Sequence, residues 1–122
     1  MKTKTLSIIK STIFLIGLTL VVGYYFYNRS LRNVIQFQNV GSASWNKIEL
    51  EAGGRYFKID HFDSGESKKF TFHSRSEGGG IITGYIGQNI SKSKFGYFTP
   101  NLSEKVNVIL NDDGSIVIKD NF

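Results

Sequence analysis

Trp45-Asn46-Lys47-Ile48-Glu49-Leu50-Glu51-Ala52 decides how the chain is read. Ile48, Leu50 and Ala52 alternate with Lys47, Glu49 and Glu51. A period of two puts one apolar face against a core and one charged face in water, which is a half-buried β-strand and not a helix. The same pattern recurs downstream. Residues 56–62 set Phe57 and Ile59 against Lys58 and Asp60, and residues 68–73 set Phe70 and Phe72 against Lys69, Thr71 and His73. Upstream, residues 34–39 place Ile35 and Phe37 on one face. Further strands are expected over 81–87, 94–99, 106–110 and 115–119. The last two are joined by Asn111-Asp112-Asp113-Gly114, and Asp-Gly supplies the positive φ of a tight hairpin. About eight short alternating strands, with turn residues between them, predict an all-β chain of two antiparallel sheets packed face to face. The lone Pro100 falls in a loop, where it breaks no ladder.

The start of the chain is different. Residues 11–27 carry no charge and are dominated by Ile, Leu, Val and aromatics. Extended back to Leu6, the run is long enough to cross a bilayer as one helix. Lys10 would reach the headgroups by its aliphatic stem. Tyr24, Tyr25, Tyr27 and Arg29 form the aromatic and basic belt expected where a helix leaves the hydrocarbon. A cleaved signal peptide is the competing reading, with Val21-Val22-Gly23 as its small-residue site. Lys2, Lys4, Lys10 and the amino terminus outweigh Arg29 and Arg32, so a basic cytoplasmic segment (residues 1–10) and an exported domain (residues 28–122) are expected. The connection from Tyr27 to Val34 is too short for a long tether, which holds that domain close to the membrane.

Charge distribution speaks against nucleic acid as a partner. The net charge is +5, but three of the fifteen basic residues precede the apolar run. The twelve that remain face ten acidic residues, and they form no concentrated basic face. The chain has no cysteine, which excludes disulfides, thiolate metal sites and acylation at cysteine.

A resemblance follows from Val34-Ile35-Gln36-Phe37-Gln38-Asn39, then Ile48-Glu49-Leu50, then Phe62-Asp63-Ser64-Gly65-Glu66-Ser67 leading into a strand. In this order the chain resembles small immunoglobulin-like modules of single-pass bacterial envelope proteins. There, too, a strand ending in Asn opens the domain and a Gly-Glu-Ser turn leads into a later strand. Ser64 stands where such turns often carry Pro. The resemblance implies an immunoglobulin-like sandwich anchored in the bacterial inner (plasma) membrane, with the β domain periplasmic or extracellular; it implies no activity.

His61 and Asp63 lie two apart and could be joined by His73 as metal ligands. Asp63-Ser64-Gly65 reads as a turn instead. Ser64 or Ser67 with His61 and Asp60 supply the types of a Ser-His-Asp hydrolase, without a nucleophile elbow to hold them. Ser91–Lys94 and Ser44–Lys47 match Ser-x-x-Lys, without its companion motifs. Glu49 with Glu51, and Asp112 with Asp113, are candidate carboxylate pairs; the first pair should face water and the second should form a turn. Gly78-Gly79-Gly80 lacks the Lys-Ser/Thr of a phosphate loop and reads as a flexible connection. No catalytic residue, metal or cofactor is therefore expected. The aromatics are the surplus. Trp45, Tyr85, Tyr97 and Phe98 are the candidate partner contacts, since Trp45 and Tyr85 fall out of phase with nearby core residues, and Phe98 with both Phe95 and Tyr97. The expected function is protein contact in the cell envelope without catalysis. The alternatives are an immunity or inhibitor protein against a periplasm-acting toxin, and a small hydrolase or metal protein built on His61 and His73.

Overall fold

The computed structural model describes residues 2–120. It resolves into two units that divide between Ser30 and Leu31. The first is one helix, α1 (Lys2–Ser30). It outruns the apolar stretch at both ends, because Lys, Thr and Asn turns are helix-compatible without being lipid-compatible. Its 29 residues span about 43 Å at about 1.5 Å each, and the apolar part is long enough to cross a membrane. Two threonine hydroxyls within the apolar run are satisfied by the helix itself. Thr12 Oγ1 donates to the Ile8 carbonyl and Thr19 Oγ1 to the Leu15 carbonyl, both at 2.9 Å. An apolar solvent demands this of any polar group it surrounds.

The second unit contains eight strands among the described residues: β1 (Asn33–Asn39), β2 (Lys47–Ala52), β3 (Arg55–Ile59), β4 (Ser67–Phe72), β5 (Gly78–Ile86), β6 (Asn89–Phe98), β7 (Lys105–Leu110) and β8 (Ile116–Lys119). They form two four-stranded sheets, ordered β4-β1-β7-β8 and β3-β2-β5-β6. Both are mainly antiparallel. The exception to the all-antiparallel expectation is β1 against β7, which pair in parallel with Ile35 opposite Val106 and Phe37 opposite Val108. Antiparallel neighbours can follow each other through a hairpin, whereas this pair joins segments about seventy residues apart, which no local pattern encodes.

The core lies between the sheets. Ile35 and Phe37 of β1, Ile48, Leu50 and Ala52 of β2, and Val106, Val108 and Leu110 of β7 are buried, as their alternation requires. A run of phenylalanines crosses it: Phe37 to Phe70, Phe70 to Phe57, Phe57 to Phe72, Phe72 to Phe98 and Phe98 to Phe95, with centroids 4.8–5.8 Å apart. These are the separations at which aromatic quadrupoles attract. Two hairpins are set by turn chemistry. Gly53 and Gly54, both at positive φ, close β2 onto β3 in two residues. The 111–114 turn closes β7 onto β8, with the Gly114 N–H donating to the Asn111 carbonyl and the Ser115 N–H to Asp113 Oδ1.

Two buried asparagines tie loops to strands. Asn33 donates to the Phe72 carbonyl and accepts from the Glu104 N–H. Asn39 donates to the Ala43 and Phe62 carbonyls at 2.9 and 3.1 Å and accepts from the Gly41 N–H at 3.1 Å. Asn39→Ala strands those three groups around a site that is 2% exposed. A loss of about 2–3 kcal/mol in urea unfolding is the expected result.

Candidate functional site

The glycine run at 78–80 is part of β5 and not a loose connection. Between Gly78 and Gly80 the β5–β6 register slips by one residue, because β6 carries an extra residue at Gly96, whose φ is +62°. A β-bulge of this kind reverses inside and outside beyond it. Phe95 and Phe98 therefore both point into the core, and Tyr97 points out, 50% exposed. Phe98 is fully buried, so its expected contact role is withdrawn. Trp45 is withdrawn for a similar reason. It pairs with Phe62 in an isolated bridge outside β2, and the phase breaks at Asn46, so Trp45 and Ile48 are both buried. Seven of the ten phenylalanines are buried in or packed against the core, and the surplus belongs to the tyrosines.

What remains is the outer face of the β3-β2-β5-β6 sheet. Cross-strand register arranges it in rows. Tyr56, Glu51, Ile81 and Lys94 form one row; Lys58, Glu49, Thr83 and Lys92 form the next; Lys47, Tyr85 and Ile90 form the third. Tyr56 is 54% exposed, Ile81 38% and Ile90 63%. Three shallow depressions of about 340, 500 and 220 Å³ adjoin on this face, all of them lined in part by Ile81. Gly79 lacks the side chain that would fill the ground between the first two.

Local electrostatics hold the polar groups in place. Lys47 Nζ lies 2.8 Å from Glu49 Oε1 and 4.6 Å from the centroid of the Tyr85 ring. The hydrogen bond to Glu49 raises the Lys47 pKa above its ordinary value. The Tyr97 hydroxyl donates to Glu77 Oε2 at 3.2 Å, and the Glu77 charge pushes its pKa up. Tyr85 thus lies half-buried in the outer face and Tyr97 exposed beyond the bulge. The sequence reading missed Tyr56, Ile81 and Ile90 as neighbours. The parity of Tyr56 was legible, but only the register shows what lies beside it.

The candidate chemical groups are dispersed or already engaged. Asp63 Oδ1 accepts from the Ser44 hydroxyl at 2.9 Å and meets His61 Nε2 at 2.6 Å. The carboxylate stands between serine and histidine, so the imidazole is not placed to take the serine proton. Ser64 donates to the Gly41 carbonyl, and Asp60 pairs with Lys58 at 2.9 Å. In the Ser-x-x-Lys matches, Ser44 bonds Asp63 and Ser91 bonds the Gly114 carbonyl. Among the described residues no three His, Asp or Glu side chains converge on a point that could hold a metal. Tyr24, Tyr25, Tyr27 and Arg29 lie exposed on the last turns of α1.

No protein-family model matches the chain, and no curated protein sequence matches it. Its fold has a solved counterpart. An NMR structure of a protein from Eubacterium rectale is 14% identical and superposes with a TM-score of 0.50, covering 74% of this chain and 88% of that one. A chain in a structure named "Trapped Toxin" is 8% identical with a TM-score of 0.42, over 74% of this chain and 23% of that one. The first likeness is one of fold alone.

Away from this face, Asp112 acts as a latch. It accepts from the Ser42 N–H, the Ser42 hydroxyl and the Ala43 N–H at 2.7–2.9 Å, joining the 40–44 loop to the β7–β8 turn. The Ala43 and Ser42 hydrogen bonds hold its carboxyl below the ordinary value. A depressed folded pKa stabilises the fold above the unfolded pKa and is lost as pH falls through the folded one. Asp112→Ala should lower the thermal midpoint at pH 7, and the gap from wild type should narrow as pH drops below about 4. Midpoints measured by circular dichroism across pH 2.5–7, a window set by the carboxylate range, check this.

Proposed function

We propose that this chain is a single-pass, membrane-anchored protein of the bacterial envelope that acts by protein contact, without catalysis, through the outer face of the β3-β2-β5-β6 sheet. The observation that carries the reading is that face itself. Tyr56 and Ile81 stand in one row and Tyr85 and Ile90 in another, with the row of Lys58, Glu49 and Lys92 between them, and Tyr97 is exposed beyond the bulge. Outer sheet faces that serve only solvation are mostly polar, and aromatic groups ringed by charge are the composition of a contact surface.

The apolar helix supports the anchor, and the tyrosine belt with Arg29 supports an uncleaved interfacial end. The excess of basic residues before the apolar run favours a cytoplasmic N-terminus in the inner membrane and a sandwich on the periplasmic side. The immunoglobulin-like reading has local support. The strand ending in Asn39 and the 63–67 turn are hydrogen bonded to each other, Gly65 N–H to the Asn39 carbonyl and Asn39 N–H to the Glu66 carbonyl.

The full chain, produced in a bacterial host, should stay with membranes through an alkaline wash at its full mass. Release, or a mass truncated near Tyr24, would remove the anchor. Paired Tyr85→Ala and Tyr97→Ala should weaken association with the partner roughly tenfold with the fold unchanged, because aromatic anchors commonly contribute more than 1 kcal/mol. Unchanged association would remove the face from the account.

A further inference from the structure

The outer face of the β3-β2-β5-β6 sheet is electrostatically self-complementary. Glu49 and Glu51 stand on β2, on one side of β5; Lys92 and Lys94 stand on β6, on the other. Each acid is in the same cross-strand row as one of the bases: Glu51 and Lys94 flank Ile81, and Glu49 and Lys92 flank Thr83. In the third row Lys47 lies 2.8 Å from Glu49 of its own chain, so Glu49 is shared between Lys47 and whatever faces it, and Glu51 with Lys94 is the pair that sets the match.

Resting on the reading of this face as a contact surface, we propose that its partner is a second copy of this chain, related by a two-fold axis running along β5. The geometry follows from the rows. Rotation about an axis along the strands exchanges left and right and keeps each row at its own height. Glu51 then meets Lys94 of the other copy, Glu49 meets its Lys92, and Ile81 and Thr83 meet themselves. Residue i meets j and j meets i, which is the condition of a closed dimer. A two-fold axis across the strands would set acid over acid. An axis midway between β2 and β5 would set Lys58 over Lys92. The placement along β5 is the one that pairs opposite charges, and like charges facing each other are costly.

The other sheet offers no such match. Its strands carry Lys68, Lys69, Lys105 and Lys119 and no acidic residue. The area available on one four-stranded face is modest. Two chains held in one membrane, however, meet at a high effective concentration, so a weak interface suffices.

The absence of native cysteine makes the test clean. A thiol is introduced by Thr83→Cys, on the axis, in the full chain in its membranes. Packed sheets stand about 10 Å apart, beyond the reach of a disulfide, so a short bismaleimide is the probe. The expected result is a product of twice the chain mass. It should fall roughly tenfold with Glu51→Lys, and equally with Lys94→Glu, since each reverses two contacts across the two-fold axis. Producing the two variants together should restore it, because every facing pair is then opposite in charge; a variant that merely misfolded could not be rescued in this way. Failure of rescue would overturn the pairing. An equal dimer yield from a thiol at Gln36, on the outer face of the other sheet, would overturn the choice of face. A product of another mass at Thr83 would overturn the second copy and leave the contact surface standing. No product at all would overturn the second copy, and the Tyr85→Ala and Tyr97→Ala pair then tests the contact surface separately.

Discussion

Trp45→Ala is expected to destabilise the sandwich by about 3–5 kcal/mol, the range for deleting a fully buried large aromatic side chain. A domain of this size holds about 5–15 kcal/mol in total, so the variant should sit near its folding threshold. The mechanism is specific to where the indole lies. Trp45 is 0% exposed and is pinned to Phe62 by a pair of backbone hydrogen bonds at 2.9 and 3.0 Å. It lies against the backbone of β5, where a Cβ added at Gly84 would run into the ring. Its own loop cannot collapse into the hole without giving up the Phe62 bridge. Trp45→Phe should cost much less. It keeps most of the buried area and deletes an indole N–H that has no hydrogen-bond partner among the described residues. Urea unfolding of the full chain in mild detergent, followed by circular dichroism because the only tryptophan is removed, separates the two. Equal, small losses would show that Trp45 is not the core residue described here.

The second large effect comes from neighbouring glycines on opposite faces of β5. Gly80→Val should cost about 3 kcal/mol, the upper part of the range for overpacking a filled core. A Cβ there would stand 2.6–2.9 Å from the rings of Phe95 and Phe98, which the bulge at Gly96 turns inward together. Gly79→Val should do the reverse. A Cβ at Gly79 meets only the Gly96 carbonyl oxygen, at 3.5 Å, an ordinary contact, and its φ is not positive. Loss of glycine freedom in the unfolded chain should then stabilise the fold by about 0.4–1 kcal/mol. The opposite signs are diagnostic. If both variants destabilise equally, the register of β5 on β6 is wrong.

These two sites mark what could be read from the sequence and what could not. Alternation over residues 47–52 gave the orientation of β2 correctly, because nothing interrupts its period of two. The apolar run gave the helix, and Asp113-Gly114 gave the last hairpin. Trp45 and Phe98 were misplaced by counting parity across an irregularity. One residue inserted at the bulge, or one break at Asn46, moves a side chain from surface to core. Ile90-Ser91-Lys92-Ser93 was not read as strand, since its polar, flexible residues have little propensity of their own. It is ordered by pairing with β5. The parallel β1–β7 pairing had no local signal. The candidate surface follows the same logic. Tyr85 and Tyr97 were visible as spare aromatics, whereas the rows that set Tyr56, Ile81 and the flanking charges beside them exist only through register between strands.

The most direct test of the account is a photo-crosslinking residue placed at Tyr85 in the full chain, irradiated in native membranes and compared with the same residue at Lys69 on the outer face of the other sheet. Tyr85 is half-buried in the outer face and Lys69 is exposed, so solvent access alone favours the control. A discrete protein adduct is expected from Tyr85 and none from Lys69. Equal labelling from the two faces, or no adduct from Tyr85, would contradict it.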